Sequence, residues 1–515
     1  MGIPVTATAR YKMLATEREP YLLRGRRNSE LTLPSLLPPE GTNSATNLYD
    51  PYQSVGSKGV NHLAAKLMLA LFPPNTPFFR LRLSEEVKQQ AEDTGDPQAL
   101  TDIETTLSRI ERKVLQRVET RGMRSTFNEA KKHLVVVGNV LVELLDDGAA
   151  VLHPLTHFVT KRDREGTVVE IVIKEDFSWD TLPEAAQAVI PEPEEPTEQN
   201  PRPDRTVSLY TRVYLVDGRY EHYQEVGEKL IPGTEGSYGL DELPFLPLRW
   251  TKVDGEDYGR AFVDDYYGDL RSVEGLSRSL VTFGAAASKV LIFVDDTGYT
   301  DSKQVAEANS GDVLDGRAQD LSSFQLDKYP DFQVVKAVLD DARKRLEEGF
   351  LLFSGLRRDA ERVTAAEIRA IIQELEQALG GIYSVLSQEL QLPLVRRLLR
   401  MMIKEGALPK LPKGAVEPEI VTGVEALGRA NDAVKLEQLY ALVTQTFGPQ
   451  AASEIFRPAQ GAREFANALG VDADQHVRSE EELEQRRQEA MQMQALQAVG
   501  PEAIRTNAQG EQQNG

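Results

Sequence analysis

His153 and His157 stand four residues apart, the spacing at which one helical face could offer both to a metal ion. Pro154 lies between them in a stretch of alternating apolar residues, so strand and turn are predicted there and no ligand role is assigned. The paired carboxylates Asp146-Asp147 and Asp295-Asp296 could hold magnesium for nucleic-acid cleavage. The first pair runs into Gly148 and the second into Thr297-Gly298, which is turn chemistry. Val55-Gly-Ser-Lys-Gly59 comes nearest to a phosphate loop, yet it lacks the spacing that wraps backbone amides around phosphates. No G-x-S-x-G elbow occurs. Absence of cysteine removes disulfides, thiol catalysis and Cys-ligated zinc. These residues predict no catalytic site, no metal site and no cofactor.

The elements that must position any functional group are dominated by two long stretches. Ala261–Lys289 carries Phe262, Tyr266, Leu270, Val273, Leu276, Leu280 and Phe283 at intervals of three to four, which predicts a helix with one apolar face. Phe332–Phe353 repeats the device with Val335, Val338, Leu339, Ala342, Leu346 and Phe350. At ~1.5 Å of rise per residue, either helix is roughly 30–40 Å long. Such a pair suits a stalk, packed through Val273, Leu276, Leu280, Val338 and Leu346. Between them, 290–331 predicts strands at Val290–Val294, Asp312–Leu314 and Ser323–Leu326 and a helix at Ser302–Asn309. It holds nine acids against three bases, a net of −6. Asp295, Asp296, Asp301, Glu307, Asp312 and Asp315 are its candidates for docking a basic partner.

With 515 residues and 57.3 kDa, the chain has room for several domains with cores of their own. A hydrophobic fraction of 41% and an aromatic fraction of 7% suffice for globular packing. Eighty acidic residues outweigh 59 basic ones, giving a formal net charge of −21. Affinity for nucleic acid comes from neutralising phosphates, so this balance excludes a protein that coats DNA non-specifically. It suits one that lets DNA pass without sticking. The first ten residues lack a charged segment followed by an apolar core, so no signal peptide is read. The longest apolar runs, 63–72 and 281–294, are too short for a bilayer and each holds a lysine, Lys66 or Lys289. A soluble protein of a reducing compartment is expected, without membrane insertion.

Elsewhere the first thirty residues, locally basic at Arg10, Lys12, Arg18, Arg24, Arg26 and Arg27, read as a solvated arm or helix face. Leu31–Pro39 reads as extended, 59–72 and 102–121 as helices. From Val140 to Thr251 the period falls to two. Strands are predicted at 140–145, 158–161, 168–174, 207–216, 219–226 and 245–250, with Asp217-Gly218 as a type I′ hairpin turn. The proline-rich segment 183–205 reads as a mobile surface loop. Ser354–Val363 is a loop bearing Arg357, Arg358 and Arg362. Thr364-Ala-Ala-Glu367 has capping-box spacing and starts a helix that Pro393 kinks or ends. Helix is expected over 424–469, then a charged Gln-rich segment, 479–515, fading into disorder.

Several blocks, taken in order, resemble the portal (head-to-tail connector) proteins of short-tailed, T7-like bacteriophages. They are Asn61-His-Leu-Ala-Ala-Lys-Leu-Met-Leu-Ala-Leu-Phe-Pro-Pro74 with Pro77-Phe-Phe-Arg-Leu81, and Tyr258-Gly-Arg-Ala-Phe262 ahead of Asp269-Leu-Arg-Ser-Val-Glu-Gly-Leu276. Arg362-Val-Thr-Ala-Ala-Glu-Ile-Arg369 and Glu425-Ala-Leu-Gly-Arg429 complete the set. The resemblance implies an α+β, mostly helical portal fold. Its parts would be a wing (1–260), stem helices (261–289 and 332–353), a small α/β clip (290–331) and a tunnel loop (354–363). A long wing or crown helix (364–423), crown or barrel helices (424–478) and the tail (479–515) would follow. The loop 183–205 and the tail fall outside the family pattern.

What the resemblance implies in function is a homo-oligomeric ring, usually of twelve subunits, at one capsid vertex of the virion, assembled in the host cytoplasm. Double-stranded DNA would pass through it, driven in by the terminase large subunit and released on infection. The clip acids would dock terminase or a tail adaptor protein, with capsid and scaffolding proteins as further partners. No enzymatic activity and no cofactor is implied. In a ring every side chain repeats about the axis, so Arg357 or Arg358, with Arg362 beside them, becomes a belt of positive charge that can touch phosphate. The competing role for these arginines is pairing with Asp359 and Glu361. Two other classes stay open on the residues alone: a scaffold or coat-like shell protein, and a magnesium-dependent nucleic-acid-processing enzyme using Asp295 and Asp296.

Overall fold

In the computed structural model of the chain, the described residues are 6–73 apart from 44, 77–85, 97–192, 205–287, 291–324, 329–352, 377–409 apart from 383, 416–420 and 437–448, with isolated residues elsewhere. They fall into two units, one of residues 1–71 and 116–411, the other of 72–115 and 412–515.

In the first unit, helix α1 (Ala7–Glu30) is capped by the Thr6 hydroxyl, which accepts from the Ala9 amide. Its free Ala7 and Thr8 amides donate to the Glu225 carboxylate at 2.6 and 3.0 Å, where the helix dipole favours negative charge. Tyr11, Leu14 and Leu22 are buried. So is Arg18, whose Nη1 donates to the carbonyls of Leu155, Thr156 and Phe158 at 2.9–3.0 Å. Of the arm-or-helix-face reading, the helix stands, with Lys12 and Arg27 exposed; it is corrected at Arg18, a buried cation that bonds three carbonyls at and before the start of a strand. Residues 31–39 form turns rather than an extended run, since the Ser29 hydroxyl donates to the Leu33 carbonyl and accepts from the Leu37 amide.

Helix α2 (Val55–Leu71) begins inside the supposed phosphate-loop run, so Gly56 and Gly59 are helical residues. Strand β1 (Phe79–Leu83) and helix α3 (Pro97–Thr120) precede α4 (Met123–Val137), an element that periodicity does not reveal. Residues 134–137 of α4 are all buried, so no polar face marks the run as helical.

The β region starts with β2 (Asn139–Leu144) and β3 (Ala150–His153), then β4 (Phe158–Arg162) and β5 (Val168–Ser178). A one-turn helix, α5 (Glu184–Gln187), precedes β6 (Thr206–Val216) and β7 (Arg219–Val226). Short strands β8 (Lys229–Leu230) and β9 (Gly236–Gly239) and the strand β10 (Phe245–Arg249) close the region. Strands run in the orders β10-β2-β3 and β4-β5-β6-β7-β8, with β9 also on β7, and every pairing is antiparallel. The β6–β7 turn has Asp217 at φ 47 and Gly218 at φ 76, the two left-handed residues a type I′ turn requires. Helix α1 packs on the larger sheet through Ala7, Tyr11 and Leu14 against Val159, Val172 and Tyr210.

Part of 183–205 departs from the loop reading. Ala186 is buried with Trp179, Leu182, Leu209, Val226 and Ile231, so the segment's start supplies core; residues 193–204 lie outside the described residues.

Helix α6 (Phe262–Ala287) leads to β11 (Leu291–Val294), α7 (Ser302–Glu307) and β12 (Leu321–Phe324), and α8 (Tyr329–Gly349) returns. Strands β11 and β12 pair antiparallel. Residues 312–314 are not a strand, because the Asp312 carboxylate accepts from the Asn309 amide and folds a turn there. Of the two readings of Pro393, kink or end, the end is excluded. A π-helical turn at Ser387–Gln391 absorbs the missing N–H bond, and α9 (Leu392–Lys404) continues with proline in its first turn. The single long helix read over 364–423 fails at its far end, where β13 (Val416–Ile420) pairs with β1 in the second unit. Residues 437–448 are helical.

Candidate functional site

Helices α6 and α8 form an antiparallel pair, as ring contacts along its length fix. Phe262 and Tyr266 meet Phe350 at 5.4 and 5.8 Å between centroids, and Phe283 meets Phe332 at 5.7 Å. Val273, Leu339, Ala342 and Leu346 are buried in the seam, while Leu276 and Leu280 are half-buried. Val338 is the exception among the sequence-selected packing residues. It is 53% exposed, because Leu339 takes the inward position one turn before Ala342 and two turns before Leu346. Outside the seam, Arg345 bridges Asp269 at 2.9 Å, an exposed pair of small energetic weight.

The root of the pair is anchored to α2. Gly59 of α2 lies against the Phe350 ring so closely that a Cβ there would overlap it. Just past α8, the Leu351 carbonyl accepts from the buried Lys66 ammonium at 2.9 Å and lies 3.2 Å from His62 Nε2. Leu351 itself has φ 57, a left-handed conformation held by these contacts. On the other side of α6, buried Glu274 accepts from the Tyr49 hydroxyl and the Tyr52 amide. That bond is the first cause pushing the Tyr49 phenol up to about 12. Sequence reasoning missed all these anchors, since each joins residues distant in the chain.

Between the helices, the acids divide by role. Asp295 accepts from the Thr297 amide and hydroxyl, which holds its carboxyl below the usual range and keeps it charged. Asp301 caps α7 by accepting from the Lys303 amide, and Asp312 closes its turn. Asp296, Glu307 and Asp315 are exposed. All six candidate carboxylates therefore reach solvent, and three of them also build the local turns. Beside them stand exposed apolar residues: Ile292, Phe293, Tyr299 at 80% and Val313 at 98%.

The candidate arginines Arg357, Arg358 and Arg362, like the capping box at 364–367, lie outside the described residues. Residues set aside on chemical grounds sit in structural roles. His153 ends β3 with Nε2 2.9 Å from Glu143 Oε2, and Asp147 closes the β2–β3 turn by accepting from the Ala149 amide. Among the described residues no group of three or more His, Cys, Asp or Glu side chains gathers as a metal site would. No described helix is long and apolar enough to cross a membrane.

Residues 5–477 match the family described as bacteriophage head to tail connecting protein. The portal protein of Escherichia phage T7 is 39% identical over 492 residues, 94% of this chain and 90% of that one. That of Enterobacteria phage T3 is 38% identical over 503 residues, 96% and 91% of the two chains. Among solved structures, the neck of a native gene transfer agent particle computed with C12 symmetry aligns with 81% of this chain and 89% of its own, at 12% identity and a TM-score of 0.37. A family match over nearly the whole length, with relatives approaching two-fifths identity, leads to one conclusion: the chain belongs to the bacteriophage head-to-tail connecting, or portal, protein family.

Proposed function

We propose that many copies of this chain close into a ring, twelve in the family pattern, at one vertex of the capsid, and that double-stranded DNA enters and leaves through its centre. The observation that carries this reading is the apolar surface left uncovered on the far half of the helix pair and the segment between. Val281, Ile292, Phe293, Val334 and Val338 are each more than half exposed, in addition to Tyr299 and Val313. A monomer gains nothing by presenting so many large apolar side chains on one stretch of the chain, whereas a neighbouring copy would cover them. In this reading the helix pair is the stem and 291–324 is part of the clip, whose six acids dock the terminase large subunit or a tail adaptor. Arg357, Arg358 and Arg362 line the tunnel, and capsid and scaffolding proteins hold the ring in place. It assembles in the host cytoplasm and stays in the virion as a conduit without catalysis of its own. Negative-stain microscopy of purified protein tests it. Closed rings of one size are expected; a strictly monomeric protein at micromolar concentration, or open sheets, would sink the proposal.

A further inference from the structure

Strand β10 is an edge of its sheet, and its outer side is covered by side chains instead of a strand. The Arg249 amide donates to Glu389 Oε2 at 2.9 Å, and the Pro247 carbonyl accepts from Arg162 Nη2 at 2.6 Å. Pro247 itself has no N–H to leave unpaired. In front of this edge opens a cleft of ≈ 330 Å³, bounded by the β4–β5 turn, β10 and the π-helical turn that carries Glu389. That volume lies at the lower end of the range for small-molecule sites, about 300–1,000 Å³.

Positive charge is in excess there. Arg249 aims Nε and Nη2 at Glu389 Oε1 at 2.9 and 2.5 Å, and Arg162 Nη1 stands 3.5 Å from the same oxygen. Two guanidinium groups with side chains only 3% and 4% exposed thus share one carboxylate. Arg162 Nε is buried without a hydrogen-bond partner. At the mouth, Lys252 donates to the Glu165 carbonyl at 2.8 Å and has no carboxylate partner among the described residues. Arg396 is paired with Asp241 at 3.1 Å. The lining holds four cations against three acids, in a chain whose net charge is −21. Leu240, Phe245 and Pro393 supply apolar wall beside the charge.

We propose that this cleft binds a phosphate-bearing small molecule of about mononucleotide size, its phosphate held by Lys252 and Arg396 at the mouth, with the paired guanidinium groups of Arg162 and Arg249 behind them. An oxyanion there gains charge-assisted bonds from the exposed Lys252 and from Arg396, and the apolar walls take a planar base. The inference is independent of the ring and of the DNA channel. The phosphate could belong to a free small molecule or to a DNA backbone, and the chemistry at the cations is shared. Only a small molecule fits inside the cleft.

Titration calorimetry on the full-length protein, with inorganic phosphate, with deoxyadenosine monophosphate and with a short DNA duplex, tests this. Phosphate and the nucleotide are expected to bind saturably and to compete, the nucleotide more tightly, while the duplex gives no matching heat. Lys252→Gln, at an exposed position, is expected to weaken both by at least about tenfold. Glu389→Gln, which removes the competing carboxylate, is expected to tighten them by about as much. If that variant misfolds, Lys252→Gln alone decides. No saturable binding, binding indifferent to Lys252→Gln, or binding of the duplex only overturns the proposal.

Discussion

His133, on α4, is 5% exposed, its Nδ1 has no hydrogen-bond partner, and burial pushes its pKa down to about 4. Two residues earlier, Lys131 is 1% exposed and burial pushes its ammonium down to about 7. Both are bases that the folded state prefers neutral. The unfolded chain takes up the His133 proton near pH 6.5 and the folded chain only near pH 4, so stability falls as pH drops through that window. At ~1.4 kcal/mol for each pH unit the window spans, the loss approaches roughly 3 kcal/mol. The Lys131 contribution is lost in the same direction between about pH 10.5 and about pH 7. Melting curves of wild type and His133→Leu across the acidic window check this. The variant's midpoint is expected to fall less steeply with acid, and parallel slopes would remove His133 from the account.

At the scale of elements, the helix pair separates fold from assembly. Val273 on α6 is wholly buried, so Val273→Asp places an unpaired charge in the seam, at a cost of roughly 3–5 kcal/mol, and should lower the melting midpoint sharply. Val338 on α8 faces solvent in the single chain, so Val338→Asp should change the stability of a subunit by no more than about 0.5 kcal/mol. In the proposed ring the same change should abolish assembly, as mass photometry would read out directly. If Val338→Asp rings form normally, that face of α8 is not between copies. The pair and most of the sheet were legible because each keeps a single period over many residues: α6 with Phe262, Leu270 and Val273 inward, β6 and β7 with their Asp217-Gly218 turn. Helix α4 was not, because its last turn, 134–137, is buried on every side and shows no stripe. Helix α1 was not, because part of what it buries is polar: Arg18, Asn28 and Ser29, each holding hydrogen bonds that sequence does not display. The Lys66 contact with the Leu351 carbonyl spans 285 positions and involves a backbone atom, so no residue pattern announces it.

Across the whole molecule, the excess of acid becomes a functional property only when copies stand around a common axis. A net charge of −21 per chain would surround a channel with like charge, and at physiological ionic strength that field reaches ~8 Å, enough to keep DNA from adhering to a wall it nearly touches. Repulsion alone neither grips nor holds a duplex. Arg357 and Arg358, side by side in the sequence and repeated around a ring, would be the group that touches phosphate against that background. Asp359 and Glu361 would be their competitors in this reading; a surface ion pair is worth only about 0–1 kcal/mol, so a passing phosphate could displace either. Replacing Arg357 and Arg358 together by Ala should therefore leave ring size and melting midpoint unchanged while lowering the amount of DNA retained in filled heads. The measurement is DNA per particle after packaging with the variant ring. Heads filled and held as in wild type would show that retention rests on other side chains, and that these two arginines serve only to neutralise their acidic neighbours.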